Sequence, residues 1–412
     1  MKFSLITPTH MKNAFLEDLY DSITKQTYDN WEWIIYLNGV VSNDVPQNIQ
    51  DDPRVKIYVS LENNPKVGFN KNRAFSLATG DILVEMDHDD ILTPDCLEEL
   101  HKAFRDNPEA GFVFSDDAKY YMSGEKGTPF NAFHGWTHYD FPWNGKQLLA
   151  HNSFQPSSRS ICFIWYAPDH VRAWRRSVYE ELGGHNEELD ICDDHELMIR
   201  TYLKTEMYHI PKVLYIYRIT GENTWLERNK AIQDKTKELM KQYSWDLACR
   251  DAKKNGKHIV ELGGGINPKA GCEINIDLEE GNLKHDLNDG IPLEDNSVGV
   301  IWASHIIEHL HDKNKIMAEI HRVLCDGGWA FIQVPSTDGR GAFQDPTHVS
   351  YWNENSFWYY TRADKAKFIR NDTIKFQEYK LETFWWDDQI AITDAWLVAI
   401  KSDERRPGLR RI

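Results

Sequence analysis

Three aspartates lie within four residues of one another where a predicted strand ends. Asp87, Asp89 and Asp90 follow the strand-like run 81–86, and carboxylates one residue apart in such a loop can both face one cleft. Hard divalent cations prefer oxygen ligands, and a nucleoside diphosphate needs such a cation. Because ligands of α/β sheets bind at the carboxyl ends of strands, the spacing predicts a nucleotide-sugar site with Mn²⁺ or Mg²⁺. The same triplet also occurs in solvated turns, so the neighbouring elements decide between the two interpretations.

Those elements predict an open, mostly parallel α/β sheet. Strands are expected at 2–7, 31–37, 54–59 and 81–86. Helical periodicity from Phe15 to Ile23, and a second helix that opens at Gly68, separate them. This order is typical of a sheet whose parallel strands are joined by helices.

Residues 1 to about 225 resemble the family-2 glycosyltransferases, which have the GT-A fold. The motifs that carry the resemblance are Pro8-Thr9, Gln26-Thr27-Tyr28, Asn38-Gly39, Lys71-Asn72, Ala78-Thr79-Gly80, Asp87-x-Asp89-Asp90, Trp174-Arg175-Arg176-Ser177, Gly183-Gly184-His185-Asn186, Asp193-Asp194-His195-Glu196-Leu197 and Tyr215-Ile216-Tyr217-Arg218. The resemblance implies an inverting, metal-dependent enzyme that transfers a sugar from a UDP- or GDP-linked donor to a glycan acceptor.

The resemblance also implies roles for single residues. Asp89 is expected to ligate the metal, and Asp87 to bind the ribose or a metal-bound water. The remaining residues expected at the nucleotide sugar are Pro8, Thr9, Asn38, Lys71 and Asn72. Asn38 replaces the family's usual acidic residue, which leaves the donor base open, and Lys71 replaces the usual Arg. Thr220 stands where many relatives have a metal-binding His, so we consider His170 and His195 as substitutes.

An inverting transfer needs a general base on the acceptor hydroxyl, and Asp194 matches the family's base position. We expect its neighbour Asp193 to raise the pKa of Asp194 by repulsion between like charges. The alternative is structural, because a helix is predicted from Glu196 and Asp194 could cap it. The two roles are compatible.

An aromatic-rich segment precedes this base. It contains Trp136, Tyr139, Phe141, Trp143, Phe154, Trp165, Tyr166 and Trp174. These rings could stack on sugar faces in an acceptor groove, or they could simply cover the sheet. The sequence does not separate the two possibilities.

A second α/β domain is predicted at 256–403, after a helical linker at 226–255. A buried strand, 258–262, runs into three consecutive glycines, and a second strand ends in an aspartate. Such a glycine turn lets backbone approach a ligand closely, and the aspartate is placed to accept ribose hydroxyls. The same features occur in NAD enzymes, so on their own they leave the cofactor open.

Residues 256–400 resemble the class I S-adenosylmethionine-dependent methyltransferases, with a Rossmann-like fold. The resemblance rests on the glycine turn, on an Asp326-Gly327-Gly328 turn before the fifth strand and on two late strands, 376–386 and 391–400. The residues expected at the cofactor are Glu261, Gly263, Gly265, Asp277, Asp286 and Ser304. Gly264 departs from the family, where Cys or Ser is common.

Methyl transfer to a hydroxyl needs alignment and a base. Candidate bases are His305, His309 and His348, with Glu308 beside them. On a helix, His305, Glu308 and His309 would share one face. Packing beside the cofactor is the plain alternative for this cluster, and a metal site is a second one. The Asp345-Pro346-Thr347-His348 turn has no further role that the sequence assigns.

Composition limits the partners. The net charge of −17 argues against general nucleic-acid binding, which needs a basic surface. Six cysteines without paired spacing, and the absence of an apolar run of membrane-spanning length, predict a cytoplasmic protein with reduced thiols. The basic tail at 404–412 is expected to be disordered, or to touch an anionic surface. The sequence does not indicate an oligomeric state.

Four functions agree with these observations. The first is a bifunctional enzyme that adds a sugar to a glycan and methylates a sugar hydroxyl. The second is a glycosyltransferase with a cofactor-binding scaffold. The third is a transferase acting on modified nucleic-acid bases, and the fourth is an inactive carbohydrate-binding protein. The presence of Asp87, Asp89 and Asp194 disfavours the fourth.

Overall fold

The structure is a computed structural model that describes residues 1–10, 15–60, 62–129, 136–164, 167–221 and 223–401, except for the side chains of Phe163 and Thr224. The chain divides into two compact units, Met1–Leu247 and Ala248–Ile412. The predicted tail at 404–412 lies outside the described residues, as do Trp165 and Tyr166.

Ten strands form the sheet of the first unit. They are β1 (Phe3–Thr9), β2 (Trp31–Leu37), β3 (Val55–Val59), β4 (Ile82–Glu85), β5 (Ile91–Leu92), β6 (Ala110–Tyr121), β7 (His138–Trp143), β8 (Lys146–His151), β9 (Arg172–Arg175) and β10 (Glu206–Ile219). The path β3-β2-β1-β4-β9-β6-β10-β5 is parallel as far as β4, and β9 then pairs antiparallel with both β4 and β6. The sheet is therefore mixed: the four predicted strands are parallel, β9 then interrupts the parallel order, and β6 and β10 form a further parallel pair.

The helices of the first unit follow in chain order, and the last of them continues into the second unit. They are α1 (Phe15–Thr24), α2 (Gln47–Gln50), α3 (Val67–Ser76), α4 (Cys96–Asp106), α5 (Ser158–Phe163), α6 (Arg176–Glu181), α7 (Asp193–Lys204), α8 (Thr224–Glu227) and α9 (Asn229–Lys254), with a short 3₁₀ turn at Ser42–Asp44. One buried apolar cluster joins Phe3, Leu19 and Trp33 on one face of the sheet, and another joins Ile34, Phe75 and Trp174.

A glycine sets how closely α3 approaches the chain before α7. A Cβ atom on Gly68 would lie 2.0 Å from the carbonyl oxygen of Asn186, and the Gly68 amide donates to the carbonyl of Leu189 at 3.0 Å. No larger side chain fits this contact. It brings Lys71, one turn along α3, beside the first turn of α7.

Seven strands form the sheet of the second unit. They are β11 (His258–Leu262), β12 (Ile274–Asp277), β13 (Leu283–Lys284), β14 (Val298–Ser304), β15 (Leu324–Pro335), β16 (Phe376–Trp385) and β17 (Ala391–Ala399). The order is β13-β12-β11-β14-β15-β17-β16, parallel through β15 and antiparallel in the final hairpin. The two late strands are thus where the sequence predicts them.

One turn is placed differently from the prediction. Asp326-Gly327-Gly328 lies inside β15, where Leu324 pairs with Val298 but Trp329 pairs with Val300. The extra residues form a bulge, and Gly327 takes a φ of +76° that favours glycine there.

The helices of the second unit are short. They are α10 (Lys313–Val323), α11 (Gly341–Gln344), α12 (Glu354–Thr361) and α13 (Ala363–Ala366), with 3₁₀ turns at Ile307–His309 and Lys367–Ile369. Across the described parts of both units, none of the helices has the length and apolar character required to span a membrane.

Candidate functional sites

The three aspartates after β4 have different surroundings. Asp90 is buried and accepts hydrogen bonds from the hydroxyl of Tyr215 and the amide of Arg218, both at 2.7 Å. It therefore ties the end of β4 to β10. Asp87 and Asp89 are half-buried, and 39% of the Asp87 side chain is exposed. The two residues predicted to meet the nucleotide sugar are thus the two that remain accessible.

The pKa of Asp87 is raised to about 7. Desolvation contributes most to this shift, and the neighbouring Glu85 and Asp89 carboxylates add to it against the opposing effect of Lys71. A cation at this position would relieve the repulsion, so the local chemistry fits the predicted metal.

A buried network of charges lies behind these aspartates. Lys71 is 2.5 Å from a Glu85 oxygen and 3.3 Å from Asp193. Arg172, with 2% of its side chain exposed, lies 2.6 Å from Asp194 and 3.4 Å from Glu85. Two cations thus hold three carboxylates from β4 and α7 in one arrangement. The prediction that Lys71 contacts a phosphate or sugar has no support in this geometry, because its ammonium is already shared between two carboxylates.

Asp194 differs from its prediction in two ways. The N-cap residue of α7 is Cys192, so Asp194 is not the cap; it lies in the first turn of the helix, where its Oδ1 atom accepts from the amide of His195 at 2.8 Å. The pKa of Asp194 is lowered, not raised: burial acts upward, but Arg172 and Lys71 outweigh it. The repulsion falls on Asp193 instead, where burial comes first and Asp194 adds to it, and the pKa of Asp193 rises to about 6. With 21% of its side chain exposed, Asp194 remains an accessible, ionised carboxylate.

The two alternative metal-binding histidines are far from equivalent. His170 is buried with its Nε2 atom 4.0 Å from Asp87, and its ring stacks on Tyr215. Burial, followed by Arg172, lowers the pKa of His170 to about 3, so the imidazole is neutral at pH 7. His195 lies on α7 with Nε2 2.6 Å from the carbonyl oxygen of Ile161. Only His170 lies beside the strand-end aspartates.

The residues expected at the nucleotide fall into two groups. Pro8 and Thr9 end β1, and the amide of Asn38 donates to the carbonyl of Thr9 at 2.9 Å. The Asn38 side-chain amide donates to the carbonyl of Asn64, while its buried Oδ1 has no hydrogen-bond partner within the described chain. Asn72 instead turns toward the loop before α7, where it donates to Glu187 at 2.7 Å. The structure does not bring Asn72 to the aspartates.

The described aromatic residues near the acceptor half mostly cover the sheet. Trp174 is fully buried on β9, and Trp136 packs on Phe154 with ring centroids 4.3 Å apart. Tyr139, Phe141 and Trp143 lie on β7 and pack against a small buried cluster. Covering the sheet therefore accounts for these rings.

The glycine turn of the second unit forms an open cradle. Gly263 and Gly265 have φ angles of +71° and +54°, and a Cβ atom on Gly265 would meet nothing within 4 Å. A Cβ atom on Gly264 would lie 2.7 Å from the Asn275 side chain and from the Glu261 carboxyl carbon. Close packing of those two polar side chains explains why glycine replaces the more usual Cys or Ser.

Asp277 and Asp286 end the next two strand segments. Asp277 accepts from the amides of Gly265 at 3.1 Å and Glu279 at 3.0 Å, and such bonds lower its pKa. Asp286 is exposed and accepts from the amide of Asn288 at 2.9 Å. Apolar side chains flank this cradle, since Ile266 and Leu278 are 74% and 64% exposed. An open turn, a fixed carboxylate and exposed apolar surface fit an adenosine-containing cofactor.

The candidate bases meet in one pocket. A cavity of about 250 Å³ is lined by His305, Glu308, His309 and His348. They do not share a helix face as predicted, because His305 has a φ of +53° and only Ile307–His309 forms a 3₁₀ turn. The Asp345–His348 turn supplies the fourth residue. Ser304 ends β14 beside them, with its hydroxyl 3.3 Å from Gln333 Oε1.

Sequence reasoning missed Glu85 and Arg172. Both are charged residues at the ends of otherwise apolar strands, and both are at least 98% buried. That pattern, a charge inside a strand next to the aspartate triplet, was the available signal. Their partners lie on α3 and α7, too far away in sequence for spacing to show the pairing.

Two family models match the chain. Glycosyl transferase family 2 matches residues 4–182, and the methyltransferase domain matches residues 262–332. The first match contains the aspartate triplet and the strands of the parallel half-sheet. The second contains the glycine turn, Asp277 and the first three candidates of the histidine pocket.

Several known proteins are similar to part of the chain. Protein y4gI of Sinorhizobium fredii, described as uncharacterized, is 25% identical over 53% of this chain and 22% of its own length. The O-antigen biosynthesis protein RfbC of Myxococcus xanthus is 24% identical over 60% of this chain and 18% of its own length. The chain therefore spans about a fifth of these relatives. TarS of S. aureus, solved with UDP-GlcNAc, is 15% identical, with a TM-score of 0.46 over 62% of this chain and 72% of that chain.

Proposed function

Since the chain joins a family-2 glycosyltransferase domain to a methyltransferase domain, we propose that it is a bifunctional enzyme of glycan synthesis. The first unit transfers a sugar with inversion from a nucleotide sugar, and the second methylates a sugar hydroxyl with S-adenosylmethionine. One observation carries the proposal: Arg172 bridges Glu85 and Asp194. Since Glu85 ends the strand β4, which leads into Asp87 and Asp89, this bridge connects the predicted donor site to the predicted base. The similarity to RfbC supports a polysaccharide acceptor.

In the first step, Asp194 accepts the proton of the acceptor hydroxyl as that oxygen bonds to the anomeric carbon. The bond from the anomeric carbon to the diphosphate breaks, and the diphosphate leaves with the electron pair. Arg172 holds one carboxylate oxygen of Asp194 at 2.6 Å and keeps it ionised. The exposed part of Asp194 then gives the proton to solvent.

Asp89, with Asp87 and His170 beside it, would hold a divalent cation that offsets the charge of the diphosphate. His170 suits this position because its ring is neutral and lies 4.0 Å from Asp87. It takes the place of the His that Thr220 replaces. The Oδ1 atom of Asn38 is available to accept an N–H of a uracil or guanine base.

In the second unit, Gly263 and Gly265 would let the backbone approach the cofactor, and Asp277 would bind its ribose. When bound, S-adenosylmethionine would supply the methyl group, and the hydroxyl oxygen that takes it would lose its proton to a base of the pocket. Among the three histidines of the pocket, we assign His305 as the proton acceptor, because half of its side chain is exposed.

A crossed thermal-shift experiment tests both sites at once. UDP, GDP and their sugars with Mn²⁺ should raise the melting temperature of the native chain, and so should S-adenosylmethionine, because each binds the folded state. Asp89→Asn should lose only the nucleotide shift, and Asp277→Asn only the cofactor shift, so that each variant is the other's control.

The outcomes separate the two halves of the proposal. A nucleotide shift without a cofactor shift would reduce the second unit to a scaffold. Shifts that persist in both variants would refute the assigned residues, and no shift from any ligand would refute the proposed enzyme.

A further inference from the structure

Glu308 is a buried carboxylate that the described structure leaves without a hydrogen bond. Its side chain is 2% exposed, and neither Oε1 nor Oε2 has a hydrogen-bond partner among the described residues. The nearest basic group is Nδ1 of His305, 3.5 Å from Oε1 on a half-exposed ring. A buried carboxylate of this kind is costly unless a positive group offsets it. The feature therefore points to a missing cation.

The hydrogen bonds of His309, the residue after Glu308, fix which of its ring nitrogens carries the proton. Its Nδ1 atom lies 3.2 Å from the carbonyl oxygen of Thr347 and 3.1 Å from the Thr347 hydroxyl. That hydroxyl donates its single proton to Asp345 at 2.6 Å, so it accepts from the ring. Nδ1 must therefore carry the proton, and Nε2 is left as an electron-pair donor.

His348 has the same arrangement. Its Nδ1 atom lies 3.0 Å from the carbonyl oxygen of Ala342, which can only accept, so in the neutral ring the lone pair is on Nε2, which lies 3.9 Å from an Asp345 carboxylate oxygen. Histidines that bind metals typically donate their other ring N–H to a carbonyl or carboxylate in this way. The turn Asp345-Pro346-Thr347-His348 thus both supplies His348 and fixes the ring of His309.

These three side chains converge. One potential ligand atom from each of Glu308, His309 and His348 lies within 4.8 Å of the others. Ligands about 2.1 Å from a common ion are at most about 4.2 Å apart, so small side-chain rotations complete the site. The three strand-end aspartates of the first unit and Glu85 do not form such a group in this structure; in the parts of the chain that the structure describes, this is the one such cluster.

We infer that Glu308, His309 and His348 bind a divalent transition-metal cation of the Zn²⁺ type. Two imidazoles and one carboxylate select such ions over Mg²⁺ and Ca²⁺, which prefer oxygen ligands. Three protein ligands leave positions open toward the cavity, where oxygen atoms of an acceptor sugar can bind. That last role rests on the proposed methyl transfer, whereas binding of the metal does not.

The test is metal uptake by the full chain without cofactor or acceptor. Asp89→Ala removes the ion expected in the first unit, and this variant, stripped with chelator, should take up one equivalent of Zn²⁺ or Co²⁺. Adding Glu308→Gln, His309→Gln or His348→Gln should weaken the affinity for the metal by at least roughly 10–100-fold. Loss of a residue that only hydrogen-bonds to a metal ligand already costs that much. His311→Gln, an exposed histidine two residues from His309, is the matched control and should bind normally.

X-ray absorption of the zinc-loaded Asp89→Ala protein gives a readout that does not depend on further variants. It should show imidazole nitrogens at about 2.0–2.1 Å. Failure of Asp89→Ala to bind zinc, or equal uptake in Glu308→Gln and His311→Gln, overturns the inference. Cofactor binding that fails while zinc binds would count against the proposed methyl transfer alone.

Discussion

The two candidate sites treat buried charge in opposite ways. In the first unit, Glu85, Asp193 and Asp194 each lie within 3.5 Å of the Lys71 ammonium or the Arg172 guanidinium. In the second unit, Glu308 is also buried but has no hydrogen bond among the described residues; only His305 Nδ1 lies within 3.5 Å, and the Nδ1 atoms of His309 and His348 are bonded to backbone carbonyl oxygens. One site is stable before any ligand arrives, and the other is short of one positive charge. The difference indicates that a bound cation would add to the stability of the second unit.

Arg172→Met is the strongest test of the complete network. It leaves Asp194 and Glu85 without their shared cation, and removal of one partner of a buried ion pair costs about 3–5 kcal/mol. We expect that loss in the free energy of unfolding of the first unit, measured by denaturant titration.

Lys25→Met is the control for this variant. The Lys25–Asp21 pair is exposed on both sides and should contribute under about 0.5 kcal/mol. Similar losses in both variants would mean that the network does not stabilise the unit.

Asp194→Asn separates chemistry from structure in the same network. An amide can still accept from Arg172 but cannot take the acceptor's proton. We expect the rate of sugar transfer to fall by about 10²–10⁴-fold, with the KM for the nucleotide sugar changed little. Asp193→Asn, whose side chain faces Lys71, should retain far more of the rate. The reverse order would assign the base to Asp193.

His170→Gln should raise the Mn²⁺ concentration needed for half-maximal transfer, by roughly tenfold or more for the loss of one ligand. His195→Gln should leave that concentration unchanged, because its ring serves the carbonyl of Ile161. The measurement is a metal titration of transfer activity. Equal effects of the two variants would remove His170 from the metal site.

Glu308→Gln should act in the opposite direction from Arg172→Met. In chelator, the substitution removes an unpaired buried charge. We therefore expect the free energy of unfolding of the second unit to stay level or to rise by about 1 kcal/mol, which a melting curve would measure. With Zn²⁺ added, only the native chain should gain stability. A clear loss of stability in chelator would show that Glu308 is already compensated.

Asp87→Asn is expected to have an effect on stability that depends on pH. The folded-state pKa of Asp87, about 7, lies above its unfolded value, so the folded protein binds more protons than the unfolded chain between about pH 4 and 7. Stability is therefore lost as pH rises through that window. The variant should match the native chain near pH 4 and exceed its unfolding free energy at pH 8, both without metal. Curves that stay parallel across this range would contradict the raised pKa.

The sequence predicted most of the strands because their apolar runs are short and bounded by turns. It placed β2 and β11 to the residue, and it identified the accessible aspartates from their position after β4. It did not predict the antiparallel β9 within the first sheet, since pairing depends on chain crossings that local pattern does not encode. It also assigned the wrong sign to the pKa shift of Asp194, because Arg172 approaches from a distant strand.

The histidine pocket shows a related limit. Spacing suggested one helix face, whereas a positive φ at His305 and a single 3₁₀ turn place the residues instead. The turn at 345–348 joins them from a segment more than 35 residues away. Its hydrogen bonds to His309 became interpretable only when the partner atoms were known.

The contact at Gly68 has a consequence for engineering the proposed sugar transfer. With no room for a Cβ beside Asn186, any larger residue at position 68 must move α3 away from α7 and draw Lys71 away from Asp193. A mutant library aimed at new donor sugars could vary the surface of α3 freely, yet a single methyl group at this remote position would disable every member that carried it. Position 68 should be held fixed before any of the residues that touch the sugar are randomised.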